Sequence, residues 1–152
     1  MPVAEPTWTD RHLRAMGCSA QVIVLARPAF TAGLIDRAET FLASLEQDWS
    51  LFVEGSDLAR LNSRAGRATH VSLHTRLLLA AAQLAWLETN GDFDPLAMPG
   101  RSSAGAMARL EIDWAAETAT TPSGFRFDPS GIAKGLAADL VAEVLGPQEI
   151  AT

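Results

Sequence analysis

Hydrophobic positions recur along this chain with the periods of helices and strands. A nearly continuous apolar run predicts a buried strand over residues 20–25. Apolar residues at helical spacing between positions 34 and 45 predict a helix, with Thr31 as its N-cap. A second helix is predicted over residues 75–88, ended by Asn90-Gly91. Because apolar residues wrap most of its circumference, we expect this second helix to be central and buried.

Shorter patterns predict the remaining elements. Strands are expected at 69–72, 110–114, 118–121 and 125–127, a single helical turn capped by Ser56 at 58–62, and a closing helix from 132 or 134 to 145. Residues 1–14 are expected to form a loose lead-in, and the Gly- and Ser-rich residues 98–108 a mobile loop. This mixture predicts an α+β fold, with a mixed or antiparallel sheet and packed helices.

Composition narrows the class of protein. The 152 residues are 48% apolar and 20% charged, so we expect a single soluble globular domain over residues 1–152. The net charge of −6 argues against a nucleic-acid-binding surface. We find no run of about 18 apolar residues that indicates a membrane span. We also find no export signal or lipobox, and therefore expect a cytoplasmic protein.

The single cysteine excludes an intrachain disulfide. Cys18 is interpreted either as a small buried residue beside a strand or as a reactive thiol.

The segment from Phe127 to Asp139 combines several anion-binding features. A carboxylate, Asp128, ends a strand-like run, and the chain then turns through Pro129 and Gly131 into an apolar helix that carries Lys134. Backbone N–H groups at a helix start, a glycine and a lysine can together hold a phosphate. The alternative is an ordinary joint between strand and helix, with Asp128 as a cap worth about 1 kcal/mol. Neither the GxxxxGK[ST] nor the GxGxxG fingerprint is present, so both interpretations stay open.

A second segment places Phe93 between the carboxylates of Asp92 and Asp94, just after the second helix. One interpretation is a polar turn with Phe93 filling the core. The other is a site for a flat ligand, in which the carboxylates accept hydrogen bonds from ribose or ring N–H groups.

Four patches of the sequence, taken in order, resemble one known family. They are Met16-Gly17-Cys18; Trp49-Ser50-Leu51-Phe52 followed by Ser56 to Asn62; Thr89 to Pro95; and Asp128 to Asp139. They are similar to the motifs of the ApbE family, the FAD:protein FMN transferases, and span nearly the whole chain. The resemblance implies an ApbE-like, T-fold-like architecture.

The resemblance also implies a reaction and a site. The reaction is magnesium-dependent transfer of FMN from FAD to a threonine hydroxyl of an acceptor flavoprotein, with release of AMP. It implies contacts to FAD from Met16, Phe52, Asp92, Phe93, Asp94, Asp128 and Lys134. The backbone carbonyl of Gly131 would be one magnesium ligand, and no catalytic residue is assigned.

The family's proteins extend well beyond the point where this chain stops. We therefore expect an apparently truncated, amino-terminal half that lacks the family's acidic and threonine magnesium ligands. Such a half would act with a complementary C-terminal chain or as a homodimer. The alternatives are a non-catalytic subunit that binds FAD or another nucleotide, and an inactive remnant.

Overall fold

The computed structural model describes residues 4–96, 103 and 105–146. The first two elements, β1 (Thr7–Ala15) and β2 (Cys18–Ala26), pair antiparallel with Ala15 opposite Cys18. The two residues between them, Met16 and Gly17, have φ values of 51° and 73°. Positive φ at both central residues is the geometry of a tight hairpin turn whose twist matches its strands.

The remaining elements mix helices and short strands, which confirms the predicted α+β class. They are α1 (Pro28–Trp49), α2 (Asp57–Ser63), β3 (Thr69–His70), α3 (Leu73–Glu88), a short 3-10 helix (Ala106–Arg109), β4 (Glu111–Asp113), β5 (Thr118–Thr120) and α4 (Ala133–Leu145). No helix in the described part of the chain is both long enough and apolar enough to cross a membrane.

The chain divides into two compact units, and the first comprises Met1–Glu46 with Ala137–Thr152. Its hairpin is tied to α1 by Arg11, whose Nη1 lies 3.3 Å from Asp36 and 3.0 Å from Glu39. The α1 helix is tied to α4 by Arg37, which donates to the Val144 carbonyl at 3.0 Å.

The second unit, Gln47–Leu136, contains a three-stranded sheet in the order β3-β5-β4. Both pairs are antiparallel, with Ala119 of β5 opposite Thr69 on one side and Ile112 on the other. Five apolar residues of α2 and α3 are wholly inaccessible to solvent and contribute to the core of this unit: Leu58, Leu61, Leu78, Leu79 and Ala82.

The first unit differs from expectation in three places. Residues 7–14, expected to be part of a loose lead-in, lie in β1, whose side chains are mostly exposed and therefore lack the alternation that marks a strand. The β2 strand buries Val22 and Val24 but exposes Ile23 and Leu25, so it is half-buried rather than buried. The α1 helix begins at Pro28, because proline suits a first turn, and Thr31 lies inside it, donating to the Arg27 carbonyl.

The second unit also differs from expectation. The α3 helix buries one face only, since Leu73, Leu84 and Leu87 are each more than half exposed. Residues 125–127 alternate in burial as a strand would, but neither described sheet includes them. Of the loop expected at 98–108, residues 98–102 and 104 lie outside the described residues, and the part that follows forms the 3-10 helix.

Candidate functional site

The loop after α3, residues 89–96, is shaped by its own side chains, and we call it the α3 loop. Thr89 Oγ1 donates to the Ala85 carbonyl at 2.8 Å and accepts from the Phe93 N–H at 3.0 Å. Asn90 and Gly91 have φ values of 52° and 89°, and these left-handed residues turn the chain away from the helix. The backbone of Phe93 is therefore held close to the end of α3.

The two carboxylates of this loop have different surroundings. Asp94 Oδ1 accepts from the Leu96 N–H at 2.9 Å, and its Oδ2 accepts a hydrogen bond from the Ser103 hydroxyl. Asp92 is exposed. Asp94 thus stabilises the loop, while Asp92 is accessible to a ligand.

The loop before α4, residues 125–132, is called the α4 loop. Asp128 Oδ1 accepts from the Ser130 N–H at 2.9 Å and closes a tight turn. The Pro129 carbonyl accepts from Ile132 and Ala133 at 3.0 and 2.8 Å, where the helix begins. This bond belongs to the turn, and α4 begins only at Ala133. The Asp128 side chain is nevertheless exposed, so its carboxylate can also accept a hydrogen bond from a ligand.

The α3 and α4 loops contact each other directly. The Asp128 N–H donates to the Pro95 carbonyl at 2.9 Å. Three residues later, Gly131 lies so close to Phe93 that a Cβ on Gly131 would be 2.7 Å from Phe93 Cε2. Only glycine permits this approach without moving the ring. Phe93, Pro95, Asp128 and Gly131 consequently form one cluster in the second unit.

A third segment joins this cluster through Asn62, which lies near the end of α2. Its Nδ2 donates to the Phe127 carbonyl at 2.9 Å, and its Oδ1 accepts from the Phe127 N–H at 2.8 Å. The side-chain amide therefore satisfies both backbone groups of Phe127, which a neighbouring strand would otherwise do. Phe127 itself is 1% exposed.

The loop before α2 carries an aromatic side chain that is almost fully exposed to solvent. Ser50 Oγ accepts from the backbone N–H groups of Phe52 and Val53, both at 3.1 Å. Ser56, the N-cap of α2, donates to the Ser50 carbonyl at 2.5 Å and accepts from the Ala59 N–H at 3.0 Å. Within this hydrogen-bonded loop the Phe52 residue is 96% exposed.

Asp57, at the start of α2, is a buried carboxylate with several donors. Its Oδ2 accepts from the Ser72 N–H and the Thr75 hydroxyl, both at 2.7 Å, and its Oδ1 lies 2.6 Å from Arg60 Nη2. Burial alone would raise the pKa of Asp57, but these donors favour the ionised form more strongly and hold the pKa below its ordinary value. Asp57 thus fixes the start of α2 to the start of α3.

The structure places the predicted site residues in four places. Phe93, Asp128 and Gly131 lie together, with Asp92 and Asp94 in the same α3 loop. Phe52 lies in a separate loop of the second unit, and Lys134, exposed in the first turn of α4, is the only lysine of the sequence. Met16 lies in the first unit, in the β1–β2 turn.

Sequence reasoning missed the roles of Asn62 and Asp57. Asn62 ends the predicted helical turn at 58–62, and its side chain bonds a residue 65 positions away. The only sequence signal for either residue is that both lie within one patch of the family resemblance.

The described residues do not fit a complete magnesium site. They contain no group of three or more His, Cys, Asp or Glu side chains placed to hold a metal ion. The Gly131 carbonyl would be a single oxygen ligand, whereas magnesium requires near-octahedral oxygen coordination. No chemical step is therefore assigned to a metal held by these residues.

A surface groove in the first unit is a separate feature. Asp36, Arg37, Thr40, Phe41, Ser44 and Val144 line it. None of the predicted binding residues lies in this groove, so we do not assign the flavin site to it.

Solved structures share this fold. The ApbE protein from Thermotoga maritima matches with a TM-score of 0.78 and 18% identity, over 91% of this chain and 52% of its own. The apo form of the flavinyl transferase ApbE from Pseudomonas stutzeri matches with a TM-score of 0.78 and 22% identity, over 95% and 56%. A mutant of the flavin transferase ApbE from Vibrio cholerae matches with a TM-score of 0.72 and 22% identity, over 93% and 54%.

The chain thus spans about half the length of these structures. At such identities the likeness establishes a common fold. No curated protein sequence matches the chain significantly. The sequence model described as the ApbE family matches residues 16–152. Because that match covers most of the sequence, the chain belongs to the ApbE family.

Proposed function

We propose that the second unit binds FAD through the α3 and α4 loops, as the donor for FMN transfer to a threonine hydroxyl of an acceptor flavoprotein. The observation that carries this proposal is the direct joining of the two loops. Asp128 bonds Pro95 at 2.9 Å, and Gly131 lies against the Phe93 ring. Membership of the ApbE family, and a fold shared with structures described as flavin transferases, support the same function.

The side chains around these loops suit a flavin nucleotide. The half-buried ring of Phe93 and the exposed ring of Phe52 offer aromatic surfaces to a flat ligand. Asp92 and Asp128, both exposed, can accept hydrogen bonds from ribose hydroxyls or ring N–H groups. Lys134 places a cation at the start of α4, where the helix dipole also favours a phosphate.

The proposed reaction is phosphoryl transfer. The threonine oxygen of the acceptor bonds to the phosphorus on the FMN side of FAD, the anhydride bond to the AMP phosphate breaks, and AMP leaves while the hydroxyl proton is lost. Such a reaction depends mainly on positioning and on neutralising phosphate charge. In this scheme the chain's own residues bind and orient FAD, and none is assigned as acid or base.

The partners of the reaction are also part of the proposal. We assign FAD binding to this chain and propose that transfer needs a complementary chain or a second copy of this one. Magnesium, when bound, would neutralise phosphate charge, and the Gly131 carbonyl stays a predicted ligand. A non-catalytic nucleotide-binding subunit would share the binding step and lack the transfer.

Flavin fluorescence during titration of the purified chain with FAD tests the binding step, with and without magnesium. We expect saturable binding, weakened about tenfold by Lys134→Ala because a cation near a phosphate is lost. Arg67→Ala removes an exposed cation outside the cluster and serves as the control, with unchanged affinity expected. Absence of saturable binding to the wild-type chain would contradict the proposal.

The single lysine permits an independent check. Lys134 carries the only side-chain amine, so acylation by an amine-directed reagent reports on this position once the terminal amine is distinguished by peptide mapping. We expect FAD to slow acylation of Lys134 and to leave the terminal amine unaffected. Equal rates with and without saturating FAD would remove Lys134 from the site.

A further inference from the structure

Two consecutive residues of the α4 loop have their backbone positions fixed from outside the loop. Phe127 is held through both its N–H and its carbonyl by the side chain of Asn62. The next residue, Asp128, donates its N–H to the Pro95 carbonyl. Together these three bonds set where the Asp128 side chain and the turn after it begin.

The α2 helix, which carries Asn62, is itself held in place by hydrogen bonds. At the start of α2, Asp57 bonds Ser72 and Thr75, and Ser56 bonds Ser50. Midway along the helix, Arg60 donates to the Gly55 and His70 carbonyls at 2.5 and 2.9 Å. Since α2 is only seven residues long and bonded in this way, Asn62 projects from a fixed base. The loop therefore takes its position from Asn62.

The bond pattern demands an amide. Phe127 presents one donor and one acceptor, so its partner must supply an acceptor and a donor at matching separation. Aspartate has no donor when ionised and would place a negative oxygen against the Phe127 carbonyl. Aliphatic residues would leave both backbone groups of a buried residue without these partners.

We propose that Asn62 is a positioning residue for FAD binding, acting through the backbone of Phe127 on Asp128 and Gly131. This inference rests on the proposed function. Asn62 need not touch FAD in this role. Substitution of Asn62 frees the α4 loop to shift away from Pro95 and Phe93. FAD binding requires the α3 and α4 loops to stay in contact.

Two variants test the role in the full-length chain. Asn62→Ala removes both bonds, and Asn62→Asp keeps side-chain size and one acceptor, so it remains informative if the alanine variant does not fold. For each variant we expect the dissociation constant for FAD to rise about tenfold, the scale of one to two lost hydrogen bonds. Ser63→Ala, at the next position, removes only a bond to the Arg60 carbonyl and should leave FAD affinity unchanged.

A second readout separates positioning from a general loss of structure. Hydrogen exchange at the Phe127 amide should accelerate most in Asn62→Ala, which removes its acceptor, less in Asn62→Asp, which retains an acceptor oxygen, and stay slow in Ser63→Ala. Amides in the β1–β2 hairpin should exchange as in the wild type. Acceleration at Phe127 together with weaker FAD binding supports the inference.

The outcomes distinguish the inference from the function on which it rests. If the wild-type chain binds FAD and folded Asn62 variants bind it equally well, the positioning role is wrong and the proposed function stands. If the wild-type chain does not bind FAD, the proposed function and the positioning role are both overturned. Uniform acceleration of exchange throughout the variants would also overturn the inference, by assigning Asn62 a general structural role.

Discussion

Gly131 sets how closely the two loops approach each other. No other residue could stand 2.7 Å from Phe93 Cε2 through its Cβ, because real Cβ contacts do not become that short. The clashing atom belongs to a half-buried ring, which can move if the loops separate. At the scale of the residue, a missing methyl group defines the relative position of an aromatic side chain and a turn.

Gly131→Ala should therefore impair binding more than folding. We expect the ring of Phe93 to be displaced and FAD affinity to fall about tenfold, with a destabilisation of about 1–3 kcal/mol typical of overpacking. Gly33→Ala is the matched control, because nothing lies within 4 Å of its Cβ position and it lies in α1. That control should keep its FAD affinity and gain up to about 1 kcal/mol of stability. Equal FAD affinity in both variants would contradict the assigned role of Gly131.

Among the elements, α2 connects segments that are far apart in sequence. Its first residues bond the loop that carries Phe52 and the start of α3, while Asn62 bonds the α4 loop. The ionised carboxylate of Asp57 is central to this arrangement, because four donor groups face it and its pKa is lowered. The element therefore contributes to the site by its position and by a buried charge.

Asp57→Asn should destabilise the protein at neutral pH and reduce its acid sensitivity. A carboxyl group whose folded pKa lies below its unfolded value, about 3.9, adds stability above that pH and loses it as pH falls through the folded pKa. We expect a loss of about 1.5–3 kcal/mol at pH 7 and a smaller difference from wild type near pH 3. Urea unfolding followed by tryptophan fluorescence at several pH values measures both.

Asp36→Asn provides the comparison for Asp57. Asp36 is an exposed partner of Arg11, and such surface pairs contribute about 0–1 kcal/mol. A difference between Asp57→Asn and wild type that is the same at pH 7 and pH 3 would show that the lowered pKa does not contribute to stability.

Sequence periodicity predicted most of the helices and strands. The α3 and α4 helices and the strands β3, β4 and β5 all lie within a few residues of their predicted positions. The β1 strand was missed because its side chains are mostly exposed, so burial imposed no alternation on it. Residues 125–127 alternate in burial, but a side-chain amide supplies the backbone bonds of Phe127, and no local pattern encodes a partner such as Asn62.

The sequence predicted which residues form the candidate site, but it did not predict how they are brought together. The carboxylates, glycine and lysine of the candidate site were all identified from sequence patterns and family resemblance. Their joining depends on the Asp128–Pro95 bond and the Phe93–Gly131 contact, which connect positions more than thirty residues apart. Such contacts follow from tertiary packing, and a single sequence carries no record of them.

The whole molecule is a chain of the ApbE family that forms two compact units, and the proposed FAD site lies in the second unit. The first unit carries Met16, whose predicted contact with FAD stays a prediction. The family assignment supports the reaction class, while the joined loops specify where on this chain FAD would bind. The location of binding is therefore the central claim.

Hydrogen exchange of the purified chain with and without saturating FAD tests that location most directly. We predict slower exchange in the α3 loop and from Phe127 to Lys134, with no change along the groove residues from Asp36 to Ser44. Protection confined to the groove, or protection absent from both loops under saturating FAD, would contradict the account.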